Sequence, residues 1–159
     1  MLLDIENKDI DYKVEALFYA ASRAQLVSKV IKPALQNGKF VLSDRYIDSS
    51  LAYQSYGRGL PLDLILECNK WAISDMMPDI TFLLRLGAEE GLRRCQDRTA
   101  DRIESESLDF HQRVENGYDE LAQMYKDRYR VIDAKSDPEI VSQKIIEEID
   151  KLLATAKVK

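Results

Sequence analysis

The sequence predicts an α/β fold in which helices cover a parallel sheet. Three short apolar runs have the character of buried strands: Phe40–Ser43, Ile80–Leu84 and Arg130–Asp133. The segments between them repeat apolar residues every three or four positions, which is the period of a helix. Strands that alternate with helices form parallel sheets, because each helix returns the chain to the same end of the sheet.

The predicted helices begin and end at recognisable signals. The first starts near Asp11 and should end or kink before Pro33, because proline has no amide proton to donate. The turn Asn37-Gly38 closes it, and Ser49 or Ser50 can cap the next helix. Further helices are predicted over residues 62–75, 88–95 and 108–124, and from Asp137-Pro138-Glu139 onward, where proline occupies the first turn.

Residues 96–106 predict a loop, because they are polar and charged without any periodicity. Three arginines lie in or beside this loop: Arg94, Arg98 and Arg102. Such a charge run is usually solvated. The alternative is a lid that carries positive charge to a transferring phosphoryl group. A lid comes from the least stable part of a structure, so we expect this segment to be the least ordered internal one.

Length and composition indicate one ordinary globular domain. The chain has 159 residues, of which 45% are hydrophobic and 32% charged. Its net charge of -5 argues against general nucleic-acid binding. Cys68 and Cys95 form no metal or redox motif, and no apolar run suits a membrane span or a signal peptide. We therefore expect a cytoplasmic protein that contacts neither membrane nor nucleic acid.

The residues Asp44-Arg45-Tyr46 follow the predicted strand Phe40–Ser43 directly. In open α/β sheets, ligands bind beyond the carboxyl ends of the strands. The planar fork of Arg45 matches phosphate oxygens, and an adjacent carboxylate can serve a metal. Taken alone, the dipeptide Asp44-Arg45 fits a surface ion pair equally well.

Two further groups of side chains share helical faces. Tyr19 and Arg23 are four residues apart on the first helix, and Ser50, Tyr53 and Gln54 are similarly spaced on the next. A ring beside a guanidinium suits a planar heterocycle, while hydroxyls and an amide suit a base edge and a sugar. Ordinary packing, with a solvated arginine and a helix cap, is the alternative for each group.

The order of these patterns along the chain resembles bacterial thymidylate kinase over about Ile10 to Ile149. The matching motifs are Y-A-A-S-R-A-Q (19–25), V-I-K-P-A-L (30–35), S-D-R-Y-I-D-S-S-L-A-Y-Q (43–54), Y-G-R-G-L (56–60) and D-R-I-E (101–104). The resemblance implies a three-layer nucleoside-monophosphate-kinase-like fold of the P-loop class. It also implies transfer of the γ-phosphoryl group of ATP to dTMP, with Mg²⁺, giving dTDP for dTTP biosynthesis.

The resemblance also implies roles around the nucleoside. Tyr19 matches the aromatic residue that stacks on thymine, and Arg23 matches the arginine that hydrogen-bonds the base. Ser50 and Gln54 match further contacts around the base. Tyr53 matches the tyrosine packed under the sugar, which disfavours a ribose 2′-hydroxyl.

Other roles concern the phosphates. Arg45 matches the arginine that clamps the dTMP phosphate, with Asp44 beside it at the metal and phosphoryl site. Arg98 best matches the lid arginine that reaches the phosphates, although a one-residue difference in length leaves Arg94 and Arg102 as neighbouring candidates. The catalytic candidates are therefore Asp44, Arg45 and Arg98.

The sequence departs from the family pattern in one major respect. It contains neither the phosphate loop G-x-x-x-x-G-K-[ST] nor the E-P-G-G segment, as if a thymidylate kinase began at a methionine partway through the domain. In the resembling fold, the phosphate-loop strand lies between the strand 40–43 and the strand at Phe82. Smaller departures are Arg85 and Gly87, where acidic residues are common, and Ser55, where glycine is usual.

Two functions follow as expectations. The first is a dTMP kinase, although this chain alone should be inactive without a phosphate loop. The alternative is a non-catalytic remnant that binds thymidine nucleotides or interacts with other proteins. The resemblance also implies a homodimer, for which the first helix offers an apolar stripe that core packing would explain equally well. The stripe consists of Val14, Leu17, Ala21 and Leu26.

Overall fold

The computed structural model describes residues 2–7, 9–95 and 100–156, so the predicted lid residue Arg98 lies outside the described part. None of the described helices is both long and apolar enough to span a membrane. The elements are α1 (Tyr12–Leu26), π1 (Val27–Ile31), α2 (Lys32–Gln36), α3 (Ile47–Ser50), π2 (Leu51–Gly57), α4 (Leu62–Ile73), β1 (Thr81–Arg85), α5 (Ala88–Arg94), α6 (Leu108–Met124), β2 (Tyr129–Asp133) and α7 (Pro138–Ala156).

Pro33 was expected to end or kink the first helix, and the structure shows a change of winding just before it. The Asp11 carboxylate caps α1 by accepting from the Lys13 amide over 2.8 Å, and α1, π1 and α2 then form one continuous helical run to Gln36. Near Ile31-Lys32 the helix changes its winding instead of ending, because the Lys32 amide donates to the Val27 carbonyl, five residues back. The predicted close at Asn37-Gly38 is confirmed, since Asn37 caps α2. This wider π-helical turn precedes the proline and accommodates its ring and missing donor.

The described sheet has two parallel strands, β1 and β2, with Thr81 paired to Tyr129 and Arg85 paired to Asp133. Both strands lie within one residue of their predicted positions, and their parallel pairing is confirmed. Helices α5 and α6 connect them, as a parallel crossover requires. The Thr81 amide donates to the Arg128 carbonyl over 2.8 Å at the entry to this ladder.

The predicted strand over Phe40–Ser43 is wrong. Residues 39–43 pair with no strand in the described part of the chain, and the side chains of Phe40 and Leu42 are 83% and 92% exposed. The local sequence resembles that of β1, but a strand is defined by the neighbour that accepts and donates its backbone hydrogen bonds. Without a neighbour the same apolar run stays an exposed connection between α2 and the turn at Asp44.

The core lies where α6 packs against π2. Ile47, Leu51, Ile73 and Leu121 are fully buried there. The approach is close enough that a β-carbon on Gly117 would come within 2.6 Å of the Tyr56 ring. This contact fixes α3 and π2, which carry the predicted residues Ser50, Tyr53 and Gln54, on the body of the domain.

Candidate functional site

The turn after residues 40–43 carries the acid and the arginine that were predicted to serve a phosphate. The Arg45 guanidinium donates to the Tyr53 hydroxyl over 3.2 Å and lies 5.3 Å from the centre of the Tyr53 ring. Asp44 and Arg45 are both exposed. The Ser43 hydroxyl donates to the Arg45 carbonyl over 2.8 Å, which shapes the turn. An exposed arginine fork in this position suits an anion such as a phosphate.

Arg23 ties α1 to the same turn. Its guanidinium donates to the Tyr46 carbonyl over 3.2 Å and to the side-chain oxygen of Asn69, and it lies 5.8 Å from the Tyr46 ring centre. Burial lowers the pKa of Arg23 from its ordinary value, while Tyr46 and Asp48 favour the charged form. Arginine nevertheless stays charged at every ordinary pH. Arg23 is thus a half-buried cation and not a solvated side chain.

Tyr53 is held from the side of α6 by two aromatic rings. Its ring centre lies 6.1 Å from that of Phe110 and 6.3 Å from that of Tyr118, in tilted and edge-on geometry. The Tyr118 hydroxyl shares a hydrogen bond of 2.8 Å with the Ser49 hydroxyl. Burial raises the pKa of Tyr118 to about 12, so the hydroxyl remains protonated and available to this bond.

Tyr19 and Ser50 approach the same region from different elements. Burial raises the pKa of Tyr19, Glu15 raises it further, and the charges of Arg102 and Arg45 act in the opposite direction. Ser50 is 2% exposed, and its hydroxyl has no hydrogen-bond partner within the described ranges. An unpaired buried hydroxyl is uncommon and leaves a polar group for another molecule to satisfy.

Gln54 contacts a buried carboxylate that the sequence did not bring to attention. The Gln54 amide donates to Glu15 over 3.0 Å. Arg58 donates to both oxygens of Glu15, over 3.3 and 3.2 Å, and to Glu106 over 2.5 Å. Arg102 forms a further short ion pair with Glu15. We call these five residues the Glu15 cluster.

The Glu15 cluster keeps its central carboxylate ionised. Burial alone would raise the pKa of Glu15, but hydrogen bonds from Arg102, Gln54 and Arg58 lower it below the ordinary value of 4.5. The side chains of Glu15 and Arg58 are 0% and 2% exposed. Two guanidinium groups therefore share one carboxylate in a buried environment, so removing Glu15 would leave two buried cations without their shared partner.

Comparison with known proteins decides the family. The family model described as thymidylate kinase matches residues 1–145. A thymidylate kinase of Bacillus velezensis is 42% identical over 156 residues, which cover 96% of this chain and 74% of the relative. One of Lactobacillus delbrueckii subsp. bulgaricus is 44% identical over 149 residues, covering 91% and 70%. The chain belongs to the thymidylate kinase family.

A solved thymidylate kinase confirms the fold. The crystal structure of the enzyme from Ehrlichia chaffeensis matches with a TM-score of 0.72 at 32% identity, over 89% of this chain and 68% of that chain. The predicted α/β fold of nucleoside-monophosphate-kinase type is therefore correct. Within the described residues, the sheet of this fold consists of the parallel pair β1–β2, and helices lie around it.

Arg85, one of the departures from the thymidylate kinase pattern, has a partner in this chain. It ends β1 and makes two hydrogen bonds, of 2.8 and 2.5 Å, to the Asp119 carboxylate on α6. The hydrogen bonds that Arg85 donates to Asp119 raise the pKa of the guanidinium. The cation is thus compensated locally by the Asp119 carboxylate.

Two of the candidate lid arginines occupy very different positions. Arg94 is exposed, pairs with Glu90 over 2.9 Å, donates to the Ala134 carbonyl over 3.3 Å, and lines an open depression together with Lys135, which precedes α7. Arg102 is 6% exposed and paired with Glu15. Arg98, the third, lies outside the described residues.

The described side chains provide little for a resident metal ion. No group of three or more histidine, cysteine or acidic residues is placed to bind a metal in the ranges described. Mg²⁺ in kinase sites takes one or two carboxylates and completes its octahedron with water and substrate phosphates. Asp44, which is exposed at the turn, fits such a partial role and cannot hold the ion alone.

Sequence reasoning missed Glu15 and Asp48 as structural centres. Glu15 lies one turn before Tyr19 on α1, so helical spacing could have placed it beside the candidate pocket. Asp48 lies inside the S-D-R-Y-I-D-S-S motif and binds Arg128. The local sequence does not indicate which distant arginines pair with these two acids.

Proposed function

We propose that these 159 residues form the dTMP-binding part of a thymidylate kinase, which transfers the γ-phosphoryl group of ATP to dTMP and yields dTDP. Within this site, Tyr19 stacks on the thymine and Arg23 hydrogen-bonds it. Ser50 and Gln54 make further contacts around the base, and Tyr53 lies under the sugar. Arg45 binds the acceptor phosphate, with Asp44 next to it.

The observation that carries this proposal is the junction of three segments at the Asp44–Tyr46 turn. Arg23 of α1 binds the turn through the Tyr46 carbonyl, and Tyr53 of π2 binds it through the Arg45 guanidinium. Arg23, Arg45 and Tyr53, which the sequence suggested for base, phosphate and sugar, are therefore all linked to this turn, which supports a common site. The unpaired Ser50 hydroxyl supports a ligand there, because it needs a partner.

The proposal also includes low transfer activity for the chain by itself. Phosphoryl transfer depends on positioning and on charge stabilisation at the β- and γ-phosphates. The printed sequence has no G-x-x-x-x-G-K-[ST] loop, and so it offers no cradle of amides, lysine and hydroxyl for those phosphates. Losing a single preorganised donor typically lowers a rate by about 10²–10³. The described residues therefore fit dTMP better than they fit ATP.

Binding measurements test the nucleotide site. Titration calorimetry with thymidine and with dTMP would compare the wild type, Arg45→Gln and the control Arg130→Gln, whose arginine pairs with Glu148 on α7. We expect Arg45→Gln to lower the affinity for dTMP about 10- to 100-fold, which is the range for a lost charge-assisted hydrogen bond. Thymidine affinity should not change. Failure of the wild type to bind dTMP at millimolar concentration would refute the proposal.

An activity assay separates the two candidate functions. Coupled detection of ADP with dTMP, ATP and Mg²⁺ would compare this chain with a fusion that places a phosphate-loop segment ahead of residue 1. We expect dTMP binding by both proteins and appreciable turnover only by the fusion. Binding without turnover in either protein would favour a non-catalytic thymidine-nucleotide-binding protein.

We also propose that the protein pairs as a homodimer through α1. The stripe that core packing could have explained is exposed in this chain: Val14, Leu17 and Leu26 are 42%, 60% and 39% exposed. Phe18 on the same helix is exposed as well. Apolar side chains clustered along one helix face are typical of a protein contact. A second copy of the chain, as the family resemblance implies, is the partner we expect.

A reducing compartment such as the cytoplasm is the location we propose. No disulfide joins Cys68 and Cys95, the two cysteines of the chain. Thymidine nucleotides and ATP, the proposed substrates, are consistent with that compartment. The net charge of -5 remains the argument against a nucleic-acid partner.

A further inference from the structure

The segment Asp101–Glu106 is attached to the rest of the domain at Arg102, at Ile103 and at Glu106, which pairs with Arg58 over 2.5 Å. The Arg102 guanidinium pairs with Glu15, and the Nε of Arg102 donates to the Leu2 carbonyl over 2.7 Å. Its backbone amide donates to the Leu3 carbonyl over 3.0 Å. Ile103, next in sequence, is 8% exposed and belongs to the core cluster. The carboxyl-terminal half of the predicted lid is therefore fastened from two sides.

The same carboxylate also contacts the candidate nucleoside pocket. Glu15 lies one helical turn before Tyr19 on α1 and accepts a hydrogen bond from Gln54 on π2. Its charge raises the pKa of the Tyr19 hydroxyl, after the larger effect of burial. One buried carboxylate thus joins the segment that contains Arg102 to Gln54, and it lies one helical turn from Tyr19.

The guanidinium of Arg102 is poorly placed to bind a phosphate. It is 6% exposed, and its Nε and one terminal nitrogen are already bound to Leu2 and Glu15. Moving it to an anion would leave Glu15 with a reduced set of partners inside the domain. Removing one member of a buried ion pair is strongly unfavourable. Arg94, by contrast, is exposed beside an open depression.

We infer that Arg102 is a positioning residue for the nucleoside pocket: its ion pair with Glu15 fixes segment 101–106 against α1 and orients Gln54, and it does not bind a nucleotide phosphate. The inference rests on the proposed thymidine-nucleotide site. On this inference, the part of the predicted lid from Arg102 onward is anchored, and the part before Arg102 is separate from that anchor.

The substitution Arg102→Gln tests this inference and should still fold, because Glu15 keeps its contacts with Arg58 and Gln54. The matched control is Arg94→Gln, which removes an exposed arginine from the other end of the loop. Thymidine, which lacks a phosphate, and dTMP are the two probes. Hydrogen exchange measured by mass spectrometry on peptides covering 100–106 and 12–19 is the second readout. Arg102→Lys, which retains the charge, serves as the conservative variant.

For Arg102→Gln we expect the affinities for thymidine and for dTMP to fall by the same factor. That factor should be about tenfold, within the usual range of coupling between sites. Exchange should rise in both peptides, and Arg102→Lys should recover part of each effect. Arg94→Gln should leave thymidine affinity and both exchange rates unchanged. If Arg102→Gln does not fold, Arg102→Lys should show the same changes at smaller size.

Two results would overturn the inference. One is a loss of dTMP affinity without a loss of thymidine affinity, since that pattern marks a phosphate ligand. The other is unchanged exchange over 100–106 in Arg102→Gln. If the wild type binds neither probe, the proposed function fails, and exchange alone then decides: a joint rise in both peptides supports the anchor, and no rise refutes it.

Discussion

The Arg128 guanidinium donates hydrogen bonds of 2.8 and 2.6 Å to the two oxygens of the Asp48 carboxylate, with both side chains largely buried. The same guanidinium donates to the Thr81 hydroxyl over 2.6 Å. Asp48 begins the helix of the candidate site, and Arg128 and Thr81 lie at the entry to the two strands. The pair therefore connects the site to the sheet.

Replacing Asp48 with asparagine should destabilise the protein by roughly 3–5 kcal/mol, because it leaves Arg128 charged and buried without its partner. Urea unfolding followed by circular dichroism measures this loss. The control is Glu67→Gln, which breaks the exposed pair with Lys70 and should change stability by less than about 1 kcal/mol. Equal losses from the two substitutions would show that the Asp48 pair is not the connection described.

The glycines at 117 and 91 should respond in opposite directions to alanine. A β-carbon on Gly117 would lie 2.6–2.8 Å from three atoms of Tyr56, whereas one on Gly91 meets nothing within 4 Å. Gly117→Ala should destabilise by about 1–3 kcal/mol through overpacking. Gly91→Ala in α5 should stabilise by up to about 1 kcal/mol through helix propensity. Thermal unfolding of both variants measures these two changes in stability. A Gly117→Ala variant as stable as the wild type would contradict the close packing of α6 on π2.

Glu15 should make the protein sensitive to acid. Its pKa is lowered in the folded state relative to the ordinary value of 4.5. A group with a lowered folded pKa contributes stability that is complete above the unfolded pKa and is lost as pH falls through the folded pKa. The free energy of unfolding should therefore decline below about pH 4.5, by at most about 1.4 kcal/mol per pH unit from this group.

Urea unfolding between pH 7 and pH 3 measures that decline. Glu15→Gln should be less stable than the wild type at pH 7, and the difference should narrow as the pH falls below 4.5. Glu104→Gln, on the same loop as Arg102, serves as a control that retains Glu15. A difference between wild type and Glu15→Gln that stays constant across this range would contradict an ionised Glu15.

A charge on the exposed stripe of α1 should prevent the proposed pairing. Leu17 is 60% exposed, so Leu17→Glu adds charge without disturbing the core. Light scattering at micromolar concentration should give a dimer for the wild type and a monomer for Leu17→Glu. The matched control is Trp71→Glu, which places the same charge on an 85% exposed residue of α4 and should leave the dimer intact. A monomeric wild type would refute the proposal.

Most of the fold was predictable because helices depend on local periodicity and caps. The helix predicted over 108–124 coincides with α6, and both paired strands were placed within a residue. Residues 40–43 show the limit of this reasoning. Their apolar pattern is that of a strand, but pairing is a property of two segments, and no local pattern states whether the second is present.

The candidate site was likewise predictable from the sequence only in part. The residue types at the turn and on the two helices could be proposed from spacing and from resemblance to a family. The role of Arg102 could not, because its partner Glu15 lies 87 residues away in sequence. In the sequence, Arg102 belongs to a run of charges that predicts solvation, and only the folded chain shows that it is buried and paired.

The π-helical winding of residues 51–57 restricts how the length of this chain can change. Arg58 follows π2 directly and reaches Glu15 from there. Deleting one residue from this segment would rotate everything after it about the helix axis and move it back along that axis, and would direct Arg58 away from α1. Surface loops tolerate insertions at small entropic cost. We therefore expect homologous chains that keep the Arg58–Glu15 pair to keep an identical residue count between S-D-R-Y and R-G-L, whatever their loops elsewhere.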